Sequence, residues 1–267
     1  MDALVADSVT QLKEKARGAV CVCGSHGGLY PAWLAARAGA HAVVLNDAGI
    51  GRHSAGIAGI WWLAGLGIAA CAIEHRSARI GDGADTLASG IVSTVNDVAA
   101  RLGCLPGHTC KQAVEWLLER GEEEETREIP EFGETRSRIR NSGHRDVWAL
   151  DSVSLVRAED RRSIVVTGSH GALLGGKPDH VLDVDVFAAL FNDAGGGKDG
   201  AGYARLAALD PRGIAAATVS SQSARIGDGL STYDTGVLSH LNETARRLEL
   251  REGMTAREAV ARLVGLA

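Results

Sequence analysis

Short apolar runs alternate with longer mixed stretches along the chain, and most of the runs stop at a glycine or an Asn-Asp pair. Gly18 to Cys23, His41 to Leu45 and Ile68 to Ile73 have the length and Val, Ala, Ile content of buried strands. Between and after them, Pro31 to Ala38, Ala55 to Leu66, Asp85 to Leu102 and Thr109 to Arg120 carry helical periodicity. Pro31 suits a first helical turn, and Gly67 stops the second helix. Strands that alternate with helices predict a parallel sheet with right-handed crossovers.

The same pattern returns in the second half. Asp7-Ser8-Val9 and Gly24-Ser25-His26-Gly27 recur as Asp151-Ser152-Val153 and Gly168-Ser169-His170-Gly171. After a two-residue insertion, Asn46-Asp47-Ala48-Gly49 matches Asn192-Asp193-Ala194-Gly195. The string Ser77-Ala78-Arg79-Ile80-Gly81-Asp82-Gly83 is repeated unchanged at Ser223 to Gly229. These matches predict an α/β fold made by tandem duplication of a three-stranded parallel, Rossmann-like βαβαβα unit, an intramolecular pseudo-dimer. The first repeat is expected over residues 1–120, a connector or hairpin arm over 121–149, and the second repeat over 150–267. The connector opens with the acidic run Glu122 to Glu125 and reads mainly as a solvated link, with strand-like stretches at Thr135 to Ile139 and Val147 to Leu155.

Composition narrows the function. The net charge is −5 and no basic stripe follows a helix, which argues against a nucleic-acid partner. The apolar stretch Ile57 to Ile73 runs into Glu74-His75-Arg76, so it reads as a buried helix and strand, not a membrane span. No signal-peptide pattern opens the chain, and the five cysteines all fall in the first half. An odd count in that context points to reduced thiols and a cytoplasmic protein. Cys21 and Cys23 share one face of a strand; they read as core residues, with a metal pair as the alternative, and Val165 and Thr167 stand at the matching positions.

Every shared motif follows a strand, where open parallel sheets bind ligands. Ser25, His26, Ser169 and His170 offer hydroxyls and imidazoles, and the flanking glycines suggest an anion nest. Asp47, Asp193, Asp82 and Asp228 are candidate acids or bases, or helix caps and turn residues; His75, present only in the first half, joins them. Arg79 and Arg225 suit bidentate capture of carboxylate or phosphate, with Ser77, Ser223, Asn46 and Asn192 as further substrate contacts. Thr86, Gly90, Ser93 and Asn96 fall on one face of the helix expected over Asp85 to Leu102, and recur at Thr232, Gly236, Ser239 and Asn242. Lys177, His180 and Lys198 mark the second half alone.

The string Val44 to Ile50, with Ala55-Gly56-Ile57, resembles the opening motif of the SurE family of metal-dependent nucleotidases, over some fourteen residues. That motif has two consecutive aspartates, whereas Ala48 follows Asp47 here. The resemblance implies a divalent metal as an option, with Asp47 and Asp193 as its ligands. No cofactor is required by the sequence, and no G-x-G-x-x-G follows the first strand.

Together these features predict an enzyme for a small anionic metabolite, most simply a hydrolase of an amide or acyl bond, with its site between the repeats. The alternatives are a lyase or isomerase using the same loops, a metal-dependent phosphohydrolase, and a non-catalytic small-molecule sensor. A homo-oligomer without membrane attachment is the expected assembly.

Overall fold

The computed structural model describes residues 3–119, 128–140, 144–177 and 182–266. It is a mixed α/β structure with two parallel-dominated sheets. In the first, β1 (Leu4–Ala6), β2 (Val20–His26), β3 (Ala42–Asn46), β4 (Ala69–Ile73) and β5 (Val92–Val95) lie in chain order. The first four are parallel and β5 is antiparallel to β4. The second sheet has six strands in chain order: β6 (Arg136–Ile139), β7 (Val147–Leu150), β8 (Ile164–His170), β9 (Ala188–Asn192), β10 (Ala215–Val219) and β11 (Leu238–Leu241). Here β7 to β10 are parallel, and each edge strand is antiparallel to its neighbour.

Alternation along each strand builds three layers. Cys21 and Cys23 of β2 pack with Val43 and Leu45 of β3 on one face, against α1 (Leu29–Arg37) and α2 (Ala58–Gly65). Val20, Val22, Ala42 and Val44 face the other way, toward α4 (Asp97–Arg101) and α5 (Cys110–Leu118). All five cysteines are free and buried, as core residues should be. In the second sheet α8 (Glu243–Arg247) and α9 (Ala256–Val264) cover one face, and α6 (Arg205–Leu209) lies on the other. Between β8 and β9 the described residues contain no counterpart of α1, although the repeat predicts a helix there.

The long helix expected over Asp85 to Leu102 is absent. Helix α3 (Gly83–Ser89) ends at Gly90, β5 follows, and α4 starts after an Asn96 cap. The β-branched residues Val92, Thr94 and Val95 favour an edge strand over a helix interior. The polar stripe read from that helix therefore dissolves into separate duties. Thr86 bonds back to the Asp82 carbonyl. Asn96 accepts from Ala70 and Ala99 N–H and donates to the Ile60 and Ile68 carbonyls. In the second sheet α7 (Gly229–Thr235) ends at Gly236, and Asn242 makes the same four kinds of bond.

The stretch expected as a connector or hairpin arm contributes two strands to the second sheet. Strands β6 and β7 pair in register, Arg136 to Leu150, and join the second sheet. Arg136 makes two bonds to buried Asp160 and lies over the Trp148 ring, so its charge is matched. The acidic run Glu122 to Glu125 lies outside the described residues. Among the described residues no helix is long and apolar enough to cross a membrane.

The sheets meet through the loops at the C-terminal ends of their strands. Arg52 N–H donates to the Ser221 carbonyl and Lys198 N–H to the His75 carbonyl, each 2.8 Å. These are matching positions in the two halves, so the two bonds are reciprocal. At their centre Gly49 and Gly195 lie back to back, both with positive φ, 72° and 74°. A Cβ on Gly49 would sit 2.9 Å from the Gly195 Cα. Gly49→Ala combines a left-handed backbone with this overlap, and its expected cost is about 1–3 kcal/mol, seen as a lower urea midpoint.

Candidate functional site

The repeated string is explained first by packing. Ser77 Oγ donates to the Glu74 carbonyl and accepts from Ile91 N–H; Ser223 does the same with Ser220 and Val237. Ala78 and Ala224 are fully buried in the sheet cores. Ile80 and Ile226 enter a small apolar cluster between the halves with Ala48, Ala172, Ala194 and Ala201. Gly83 lies so close to the Ala6 backbone that a Cβ would overlap it. Asp82 and Asp228 cap α3 and α7 through Asp85 and Ser231 N–H. A Gly-rich, charged string thus has a packing reason to occur twice.

Asn46 and Asn192 are also structural. Each accepts from the amide two residues on and donates to a carbonyl of the repeated string, Ala78 or Ala224. Asp47 accepts from Gly49 N–H, His75 N–H and His75 Nδ1, the last at 2.9 Å. That bond to Asp47 raises the His75 pKa. Asp193 accepts from Gly195 and Ser221 N–H. Both carboxylates clamp loops at the junction of the halves. Among the described residues no group of three or more His, Cys, Asp or Glu side chains is arranged to hold a metal ion.

The two repeated arginines part company. Arg79 pairs with Asp199 and Asp85, and Lys198 joins the cluster through Asp85 and Ser89. The 172–177 segment closes over this side, with Gly175 N–H donating to the Gly81 carbonyl. Arg225 instead pairs with Asp228 and lines a cavity of about 850 Å³. Arg79, Asp47, Asp193, His75, Ser77, Ser223, Asn46, Asn192 and Asp82 do not line it. The cavity walls come from both halves and include Ser25, His26, Ser169, His170, Arg225 and Asp228. Lys177 and Lys198 are not on its walls, and His180 lies outside the described residues.

Ser25 to His26 and Ser169 to His170 are the last residues of β2 and β8, not loop residues. The pairing register slips there, between Val22 and His26 and between Val166 and His170, and the two strand ends meet across the halves at the histidine rings. The anion nest expected at the flanking glycines is already occupied: Gly27 N–H donates to the Asn46 carbonyl and Gly28 N–H to His26 Nδ1. Ala172 N–H donates likewise to His170 Nδ1. A neutral ring that accepts at Nδ1 carries its proton on Nε2. Neither Nε2 has a hydrogen-bond partner among the described residues. Burial lowers the His26 pKa to about 4; burial, then Arg205 and His26, push His170 well below the usual value. The rings meet edge to face with centroids 6.5 Å apart. Two neutral imidazoles are therefore fixed as N–H donors. The serine hydroxyls accept from Val9 and Val153 N–H, and neither is placed for deprotonation by its neighbouring histidine.

Glu134 and Arg205 are charged cavity residues with no repeated motif to mark them. Glu134 lies in the stretch read as connector. Its segment runs across α1, where Trp33 Nε1 donates to the Pro130 carbonyl and Tyr30, Trp33 and Phe132 cluster. Burial and nearby Asp151 raise the Glu134 pKa to about 7, against hydrogen bonds from Ser152 and Tyr30 that lower it. Arg205 opens α6 with only 4% of its surface exposed. Its match in the first half is Gly59, so the repeat gave no signal for it.

Set against protein-family models, curated proteins and solved structures, the chain matches none of them.

His26 gives a pH-dependent stability. The unfolded chain takes up a proton at this ring below about pH 6.5, and the folded chain only below about 4. Stability from the buried neutral ring is fully present above 6.5 and declines as pH falls toward 4, by about 3 kcal/mol. In urea titrations across that window, His26→Gln should show a flatter decline than the wild type.

Proposed function

We propose that the protein is an enzyme acting on a small anionic metabolite with a carbonyl group, and that it moves a proton at the carbon beside that carbonyl. The observation that carries this reading is one cavity lined by Glu134, whose pKa burial raises to about 7, and by two buried imidazoles that accept at Nδ1. Glu134 as carboxylate would take the proton from carbon. The His26 Nε2–H would hydrogen-bond the carbonyl oxygen as it becomes an enolate oxygen. Glu134, now protonated, would return the proton to the same or a neighbouring atom, as in an isomerase or a lyase.

Hydrolysis of an amide or acyl bond is the second reading, favoured by the same Glu134, which could activate water. It ranks lower because Ser25 and Ser169 have no base beside them. A metal-dependent phosphohydrolase would draw on Asp47 and Asp193, whose carboxylates hold loop amides away from the cavity wall. A sensor would bind the same ligands without turnover.

We also infer that the halves arose by tandem duplication of a Rossmann-like unit. The shared strings, the matching Asn96 and Asn242 networks and the reciprocal junction bonds support that origin.

Incubation with a panel of 2-oxo acids and 3-oxo acids in deuterated buffer tests the proposal. Wild-type protein should catalyse deuterium incorporation beside the carbonyl of at least one of them, on a pH profile with a limb near 7. Glu134→Gln should lower that rate by about a hundredfold or more while retaining binding. No exchange with any member of the panel, or exchange that survives Glu134→Gln, counts against the assignment.

A further inference from the structure

The second half of the molecule contains a buried cation, Arg205, that no carboxylate among the described residues neutralises. Arg205 N–H donates to the Gly171 carbonyl, and its Nε and Nη2 donate to the Ala172 carbonyl at 3.2 and 2.9 Å. Its guanidinium carbon lies 5.0 Å from the Phe191 ring centroid. Nη1 is buried and has no hydrogen-bond partner. Among the described residues no carboxylate pairs with it, whereas another largely buried arginine charge, Arg136, is matched by Asp160. A buried charge without a counterion is costly, and burial alone brings the Arg205 pKa down to about 10.

The first half shows why the residue exists only here. At Gly59, the matching position, a Cβ would overlap the Gly28 carbonyl and the Ala32 side chain of α1. No helix equivalent to α1 is present between β8 and β9 among the described residues, and the Arg205 side chain uses the room. Arg205 and His170 both line the cavity. Ala172 orients both groups, since its carbonyl accepts from Arg205 and its N–H donates to His170 Nδ1. The His170 Nε2–H and the free Nη1 hydrogens are all donors.

We propose that Arg205 and His170 form a binding subsite for a single carboxylate of the ligand. A monoanion balances the one uncompensated positive charge at this depth. A phosphate dianion would leave an excess negative charge, because Arg225 is already paired with Asp228. The proposal rests on the reading of the cavity as a substrate site and adds to it the chemical class of the anchored end: a carboxylic acid, with its reacting carbonyl directed toward Glu134.

The test is thermal-shift and calorimetric titration of the full chain with acetate, benzoate and succinate. Acetamide and benzamide serve as uncharged matches, and inorganic phosphate as the other anion. At least one carboxylate should bind and its amide should not. Arg205→Gln and Arg205→Met should weaken that binding by about tenfold to a hundredfold. The Arg205 Nε–H resonance in a proton–nitrogen correlation spectrum of the wild type should shift on adding the carboxylate, a readout that holds even where a variant fails to fold. Binding of no carboxylate, equal binding of acid and amide, an unmoved Arg205 resonance, or tighter binding of phosphate than of every carboxylate would overturn the subsite. Carboxylate binding through Arg205 without deuterium exchange defeats only the proton-transfer reading. Exchange that persists at wild-type affinity in Arg205→Gln defeats only the subsite.

Discussion

The close approach of Gly49 to Gly195 is the constraint on which the rest depends. Two left-handed turns, each without a side chain, bring the strand ends of both sheets within backbone contact. The reciprocal bonds from Arg52 to Ser221 and from Lys198 to His75 then fix the relative orientation. Asp47 and Asp193 hold the turns by accepting the amides of Gly49 and Gly195, as well as those of His75 and Ser221. Because the sheets meet at their C-terminal strand ends, motifs that would face solvent in a lone parallel sheet become an interface. Much of their charge and polarity serves that interface.

A symmetric junction need not give two equal sites. On one side Arg79 is drawn into pairs with Asp85 and Asp199, and the 172–177 segment packs over Gly81. On the other, Arg225 stays on the wall of an open cavity with both imidazoles. The difference goes with the lack of a counterpart of α1 among the described residues and with the two-residue insertion ahead of β9. The room left by that helix admits the Arg205 side chain, and the matching Gly59 is locked by contact with α1.

Much of the fold was legible. The three apolar runs of each half are strands, and the strand-end position of the shared motifs follows from their placement after those runs. The edge strand β5 was not legible, because Gly90 to Val95 continues a helical spacing that starts at Asp85. Only the competition between β-branched residues and a free sheet edge at β4 decides that segment. Of the residues that line the cavity, Ser25, His26, Ser169, His170, Arg225 and Asp228 were legible as repeated polar residues at or after strand ends. Repetition also drew attention to Asn46, Asn192, Ser77 and Ser223, since a buried hydrogen bond is retained in both halves as readily as a ligand contact. Glu134 and Arg205 gave no such signal, because each occurs once and each reaches the cavity through long-range packing.

The sequence by itself determined the local character of the chain: the buried strands, the capped helices, the repeated turns and the acidic, low-aromatic composition. Those follow from periodicity and from interactions a few residues apart. Tertiary structure decided what the shared string Ser77 to Gly83 and its second occurrence are for. Most of the string is a packed turn that carries its half against the other, and only Arg225 and Asp228 of the second occurrence reach the cavity. The reason is physical. Whether an arginine meets a carboxylate, as Arg79 does, or lines a cavity, as Arg225 does, depends on groups far away in the chain and on the space a neighbouring helix leaves.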